Sequence, residues 1–191
     1  MLLSIVMMIK NEERYLDMTL KSLNPLMKNI KSELIILDTG STDRSIEISK
    51  KYTKKVYFAK WNDNFAQMRN ISIGYAKGEW ILILDADEEL VNYENLINFF
   101  KNGLHKKYNS ASIELTNIMS EDKKLFNKAS IVRLFKKDKE FRYEGAIHEQ
   151  AIHKEPIFKD VANFNHYGYM YKNEEVKQKN LSEMKKFCYL N

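Results

Sequence analysis

Two hydrophobic rhythms alternate along the first half of the chain. Leu2–Ile9 is apolar over the length of a strand, interrupted only at Ser4. From Glu12 to Leu23 the spacing of Tyr15, Leu16, Thr19, Leu20 and Leu23 predicts a helix, closed by Asn24-Pro25. Glu33–Asp38 predicts a second strand, Thr39-Gly40-Ser41-Thr42 a turn, and Asp43 the start of a helix through Ile46 and Ile48. Val56–Ala59 reads as a third strand. Asn64–Ala76 is helical, with Phe65, Met68, Ile71, Ser72 and Tyr75 on one side, and Glu79–Leu84 is a fourth strand. Such alternation is the pattern of right-handed βαβ units around a mainly parallel sheet.

Past Asp87 the rhythm changes. A helix is expected over Tyr93–Asn102, then shorter strands at Ala111–Thr116, Ile131–Phe135 and Glu155–Val161. This β-rich half is suited to cover a site and receive a second substrate. From Asn173 an amphipathic helix is expected, with Asn173 as N-cap, Glu174 and Glu175 in its first turn, and Val176, Met184, Phe187 and Cys188 inward. The domain reading is therefore one α/β unit over 1–172, and a C-terminal helix over 173–191 that opens a further region beyond Asn191.

Ligands of parallel sheets bind outside the carboxyl ends of the strands. Asn11, Asp38 and Asp85 stand at three such ends. The fourth strand delivers Asp85-Ala86-Asp87, and residues i and i+2 of a strand share a face. The two carboxylates are thus expected to converge on one hard cation, Mg²⁺ or Mn²⁺, able to neutralise a diphosphate. The following Glu88-Glu89 reads as a charged helix start.

Composition narrows the classes. With 191 residues, 44% of them hydrophobic and 30% charged, the chain can bury a full single core. No apolar run approaches a membrane span. A single cysteine, Cys188, excludes an intramolecular disulfide and fits a reducing, cytoplasmic setting, where a packed thiol is expected. The net charge of +5 comes partly from the lysine pairs 50–51, 54–55, 106–107 and 136–137. These read as a solvated surface, with at most peripheral attraction to the inner face of an anionic membrane. No motif supports nucleic-acid binding. Serine or cysteine nucleophile arrangements, a Walker loop and zinc spacing are all missing.

Four segments in order resemble the family 2 glycosyltransferases: Ser4–Glu12, Glu33–Asp43, Ala66–Asn70 with the strand to Asp87, and Gly145-Ala146-Ile147-His148-Glu149. The likeness spans roughly 2 to 170, and His166-Tyr167-Gly168-Tyr169 matches a later motif of one subgroup. The resemblance implies a GT-A fold: a Rossmann-like, mainly parallel sheet flanked by helices. It also implies a nucleotide-diphosphate sugar donor, UDP-linked by preference, with Mn²⁺ or Mg²⁺, and inverting transfer of a hexosyl type to a glycan, lipid-linked or protein acceptor. By the same resemblance Asp85 approaches the ribose and Asp87 holds the metal.

Physical roles can be argued beside it. Asp38 could accept a hydrogen bond from uracil N3–H, or only cap its turn. Asn11 and Glu12 line a nucleoside pocket or cap the first helix, and Asp43 reads as a helix N-cap. Arg69 reaches a phosphate or forms an ion pair. Glu149 is expected to be the general base that takes the acceptor's proton. His148 ligates metal or phosphate, or positions its loop. His166 completes the metal shell, or is packed among aromatics. Tyr143, Trp61 and the alternating Tyr167, Tyr169 and Tyr171 stack on a sugar or fill a core, whereas His105 and His153 have no such setting. Two rival readings are a sugar nucleotidyltransferase, which would carry a Gly-rich basic loop after the first strand, and a nucleotide-sugar-binding module without transfer activity.

Overall fold

The computed structural model describes residues 1–170. The helix expected from Asn173, Tyr171 and Cys188 lie outside the described residues.

Four parallel strands form the first half of the main sheet: β1 (Leu3–Ile9), β2 (Ser32–Asp38), β3 (Val56–Phe58) and β4 (Trp80–Leu84), in the order β3-β2-β1-β4. Being covered on both faces, β1 and β4 are apolar nearly throughout, which is why they read as unbroken runs. The pleat sends Leu3, Ile5, Met7 and Ile9 to one face with Trp80, Leu82 and Leu84. There they meet α1 (Leu16–Ser22), α2 (Asn24–Asn29) and α5 (Glu94–Lys101). Val6, Ile35, Ile81 and Ile83 face the other way, against α4 (Phe65–Gly74). The remaining helix, α3, spans Ser45–Tyr52.

Helix α1 begins four residues later than the periodicity predicts. The amides that would open it are held by the next loop instead: Asn11 N–H donates to Ser41 Oγ (3.0 Å), Glu12 N–H to Ser45 Oγ (2.7 Å) and Glu13 N–H to Asp43 Oδ2 (3.0 Å). Asp43 therefore ties two loops together, and its other oxygen accepts from Ser45 N–H (2.9 Å). Nor does Asn24-Pro25 end the helical segment. Pro25 occupies the first turn of α2, where no amide donor is required.

The second half extends the sheet with β5 (Glu88–Asn92), β6 (Ser110–Ile118), β7 (Phe126–Lys136), β10 (Ile157–Phe158) and β11 (Asn163–His166). Strand β7 pairs antiparallel with β4 and β6, and the order continues β7-β6-β11-β5. Strands β8 (Arg142–Glu144) and β9 (Gln150–Ile152) form a separate hairpin. Two expectations are corrected here. Glu88-Glu89 starts a strand rather than a helix, because Glu88 turns inward at 1% exposure. The strand expected over Glu155–Val161 shrinks to β10, and its successor β11 takes the place between β6 and β5.

The pairing of β1 with β4 depends on Gly78. Its amide donates to Ser4 Oγ (2.8 Å), which in turn donates to the buried Glu33 (2.6 Å). A Cβ on residue 78 would lie 2.5 Å from Ser4 N and 2.7 Å from Leu3 C, both backbone atoms that cannot yield cheaply. Gly78→Ala is therefore expected to destabilise the fold by about 1–3 kcal/mol, the usual cost of overpacking. Urea denaturation at neutral pH checks this, and an unchanged midpoint would show that β1 and β4 can separate locally without loss.

Candidate functional site

At the carboxyl edge of the parallel strands lies a cavity of about 440 Å³, lined by Glu12, Trp61, Arg69, Asp85, Asp87, Glu149 and His166 among others. Each wall comes from a different element. Asp85 continues the parity of Ile81 and Ile83 and so points toward α4, where it meets Arg69. Strand β4 stops at Leu84, and a turn through Ala86 and Asp87 breaks the alternation. That turn is anchored by Thr19 Oγ1 donating to the Ala86 carbonyl (2.7 Å). In consequence the two aspartates hold different partners.

Asp85 is shared between two guanidiniums. Arg69 Nη2 lies 3.0 Å from its Oδ1 and Arg133 Nη2 lies 2.8 Å from its Oδ2. Arg133 also reaches Glu88 Oε1 (3.3 Å), and Asp85 N–H donates to Glu88 Oε2 (3.0 Å). Arg69 uses its Nε–H for Glu149 Oε1 (2.9 Å). Desolvation works against the charge on Asp85, but Arg133 and then Arg69 hold its carboxyl well below the usual range. Burial pushes Glu88 the other way, with Arg133 opposing. Both oxygens of Asp85 are thus engaged by arginines, while Asp85 and Asp87 line the same cavity.

Asp87 pairs with His166: Oδ2 and Nε2 are 3.3 Å apart. Burial disfavours the charged ring, yet the hydrogen bond and charge of Asp87 outweigh it and raise the His166 pKa. His166 Nδ1 lies 2.7 Å from Asn117 Oδ1, so Nδ1 carries the proton and Nε2 is aimed at Asp87. An imidazole anchored through one nitrogen, with the other beside a carboxylate, suits a divalent cation. Among the described residues no group of three His, Cys, Asp or Glu side chains is close enough to hold a metal. A cation here would complete its shell with diphosphate and water oxygens, as Mg²⁺ commonly does. Gly168 packs so tightly that a Cβ there would come 2.5 Å from Asp87 Oδ2 and 2.7 Å from His166 Nε2.

Glu149 is brought in by α4. Asn70 Oδ1 accepts from Tyr143 N–H and its Nδ2 donates to the Tyr143 carbonyl, both at 2.8 Å, much as a neighbouring strand would. Phe65 N–H donates to the Ala146 carbonyl (2.9 Å), which fastens the β8–β9 loop to the start of α4. Arg69, one residue before Asn70, then takes the Glu149 carboxylate. A second cavity, of about 400 Å³, lies beside the first and shares Arg69 and Glu149 with it, adding Arg133 and Tyr143. The Arg69–Glu149 pair is common to the linings of both.

Three expected residues stay outside this gathering. Asp38 is 2% exposed, and its carboxylate accepts from the amides of Gly40 (3.0 Å) and Ser41 (3.1 Å), the turn-capping role. Asn11, at φ 56°, accepts from Thr42 N–H (2.8 Å) and braces the two loops. His148 is exposed, at φ 55°, and is not part of either cavity wall.

Against this geometry stand the comparisons with known proteins. The family model described as "Glycosyl transferase family 2" matches residues 4–147. The chain belongs to glycosyl transferase family 2. Over 106 residues, 51% of the chain, it is 41% identical to an uncharacterized glycosyltransferase of Haemophilus influenzae, covering 42% of that protein. Over 179 residues, 90% of the chain, it is 27% identical to the SPbeta prophage-derived glycosyltransferase SunS of Bacillus subtilis, covering 40% of it. The chain thus spans less than half the length of either relative. Among solved structures, S. aureus TarS 1-349 in complex with UDP is similar with a TM-score of 0.51 at 23% identity, over 62% of this chain and 36% of that one. At that identity the likeness speaks to the fold, and it bears out the expected GT-A-type α/β architecture.

In this family 2 chain, two residues of the site escaped sequence reading. Arg133 and Glu88 lie in segments that read as an ordinary strand and a helix start. The signal for Arg133 was a single basic residue inside the apolar run Ile131–Phe135.

Glu12 gives a test of the cavity's electrostatics. Burial, then the charges of Asp87, Asp85 and Asp43, raise its pKa from 4.5 to about 7. Between those values the native state binds more protons than the unfolded chain, so stability falls as pH rises through the window and levels off above it. Glu12→Gln should therefore gain stability over the parent across pH 5 to 7 and keep the gain at pH 8, as read by thermal melts at each pH. A difference that does not vary with pH would show that solvent screens Glu12 from its neighbours.

Proposed function

We propose that this family 2 glycosyltransferase moves a sugar from a UDP-linked donor to an acceptor hydroxyl, with inversion and with help from a divalent cation. The observation that carries the reading is one cavity lined by two distinct devices: a carboxylate–imidazole pair, Asp87 with His166, and a carboxylate held by a guanidinium, Glu149 with Arg69. A similarly folded protein, S. aureus TarS 1-349, was crystallised with UDP, which supports a uridine nucleotide in the donor role.

The chemistry follows from what each group can do. A sugar hydroxyl is a weak nucleophile at neutral pH, and a carboxylate that takes its proton during attack lowers the barrier. Glu149 fits that role, because Arg69 fixes one of its oxygens and leaves the other to act. The attacking oxygen forms its bond to the anomeric carbon as the bond to the diphosphate oxygen breaks, so configuration inverts in a single displacement. Bound by Asp87 and His166, a Mn²⁺ or Mg²⁺ ion would neutralise charge on the departing diphosphate. Trp61 supplies an aromatic wall to the same cavity, with Phe65 edge-on to it at 4.7 Å between centroids.

UDP release from a panel of UDP-sugars, with and without Mn²⁺, tests the reading. No release with any donor, alongside no UDP binding, would remove it. Glu149→Gln should keep UDP affinity but lower turnover by ~10²-fold or more, the range for losing a general base. Steady-state kinetics beside calorimetry separate the two effects, and wild-type turnover would disqualify Glu149. Asp87→Asn is expected to abolish the Mn²⁺-dependent part of UDP binding while the fold survives, since a neutral amide is a weaker ligand for a hard cation. Calorimetry with and without Mn²⁺ decides it: an intact metal dependence would place the cation elsewhere.

A further inference from the structure

Arg133 offsets the buried charge of Glu88, but it also reaches Asp85. Its side chain is 16% exposed, between Glu88 at 1% and Asp85 at 35%. Because replacing enclosed ion pairs by packed apolar groups is often neutral or stabilising, stability alone does not account for an arginine here. Its position in β7 is unusual as well. The β6–β7 register runs from Ala111↔Leu134 directly to Ser112↔Val132, which leaves Arg133 as the extra residue of a bulge. Side chains of the strand switch faces across it: Phe135 and Val132 pack on the α4 side, Leu134 and Ile131 on the other. Bulges beside active sites re-aim a side chain. Here the side chain reaches Asp85 Oδ2 at 2.8 Å and Glu88 Oε1 at 3.3 Å.

The consequence lies in the geometry of Arg69. The Nε–Nη2 edge of a guanidinium is the edge that a single carboxylate grips with both oxygens. In this structure the edge is divided: Nε serves Glu149 at 2.9 Å and Nη2 serves Asp85 at 3.0 Å. Asp85 can leave Nε to Glu149 because its second oxygen is already taken by Arg133. We infer that Arg133 is a positioning residue for Glu149, acting through Asp85 and Arg69 and resting on the proposed role of Glu149 as base. Without Arg133, Asp85 closes on Arg69 with both oxygens and displaces Glu149. The first aspartate of the Asp-Ala-Asp segment is then a strut that transmits position, while the second faces the cation.

The test compares Arg133→Gln with Arg133→Lys, using UDP-GlcNAc as donor and water as acceptor, together with crystal structures of both variants. Arg133→Gln should lower kcat at least about tenfold, short of the ~10²-fold expected for loss of the base itself, and leave KM for UDP-GlcNAc within a few-fold. Arg133→Lys, which keeps one cationic donor for Asp85, should recover most of the rate. In the crystal, Arg133→Gln should show Arg69 bidentate on Asp85 and Glu149 released. If Arg133→Gln does not fold, Arg133→Gln combined with Glu88→Gln removes the stranded buried charge and asks the same question. An unchanged kcat, a raised KM at normal kcat, or an intact Arg69–Glu149 contact in the variant crystal would each overturn the inference. Absence of UDP release by the wild type counts against the functional reading alone, because the crystallographic comparison still decides the geometry.

Discussion

Arg69 places a full positive charge on a helix face that otherwise packs against the sheet. Such burial is tolerable only because two carboxylates reach it from separate parts of the chain, Asp85 from the end of β4 and Glu149 from the β8–β9 hairpin. Removing one partner of a buried pair is strongly unfavourable, since the other is left as an uncompensated charge. The ion pairs therefore act as a constraint on assembly: β4, α4 and the hairpin have to arrive together. Much of the candidate site is the by-product of satisfying that one charge.

The opposite wall is built differently, by capping hydrogen bonds and one exposed ion pair between two loops. Residues 11–13 surrender their amides to Ser41, Ser45 and Asp43, and Arg44 returns the contact to Glu13 at 3.2 Å. The loop after β1 is thereby fixed to the loop after β2, and Glu12 is carried into the cavity on a framework that costs no buried ion pair. One side of the cavity is positioned by charge and the other by capping geometry. Salt will act unequally on them, because only exposed charges are screened effectively.

Much of this was legible in the residues, and the failures have physical causes. Strands β1, β2 and β4 declared themselves because burial on both faces demands unbroken apolar runs. The site's location followed from their polar ends, and Glu12, Arg69, Asp85, Asp87, Glu149 and His166 do share one cavity. The relation between Asp85 and Asp87 was not legible: two-residue alternation holds within a strand, and this strand ends one residue too soon. Arg133 was hidden for a related reason, since a bulge shifts parity without leaving a mark in composition. Glu88-Glu89 looked like solvent-facing charge because nothing local reveals that an arginine 45 residues later in the chain will neutralise it. Asn11 and Asp38 were correctly placed at strand ends, but their side chains are occupied by neighbouring loop amides.

Asn70 imitates a strand's backbone toward Tyr143, and it does so from the residue adjacent to Arg69. Helix α4 thus grips the hairpin mechanically and electrically at neighbouring positions. Any displacement of α4 as a rigid body would carry the hairpin with it and conserve the Arg69–Glu149 contact. The strain of such a displacement would fall on the contact with Asp85, which belongs to the sheet.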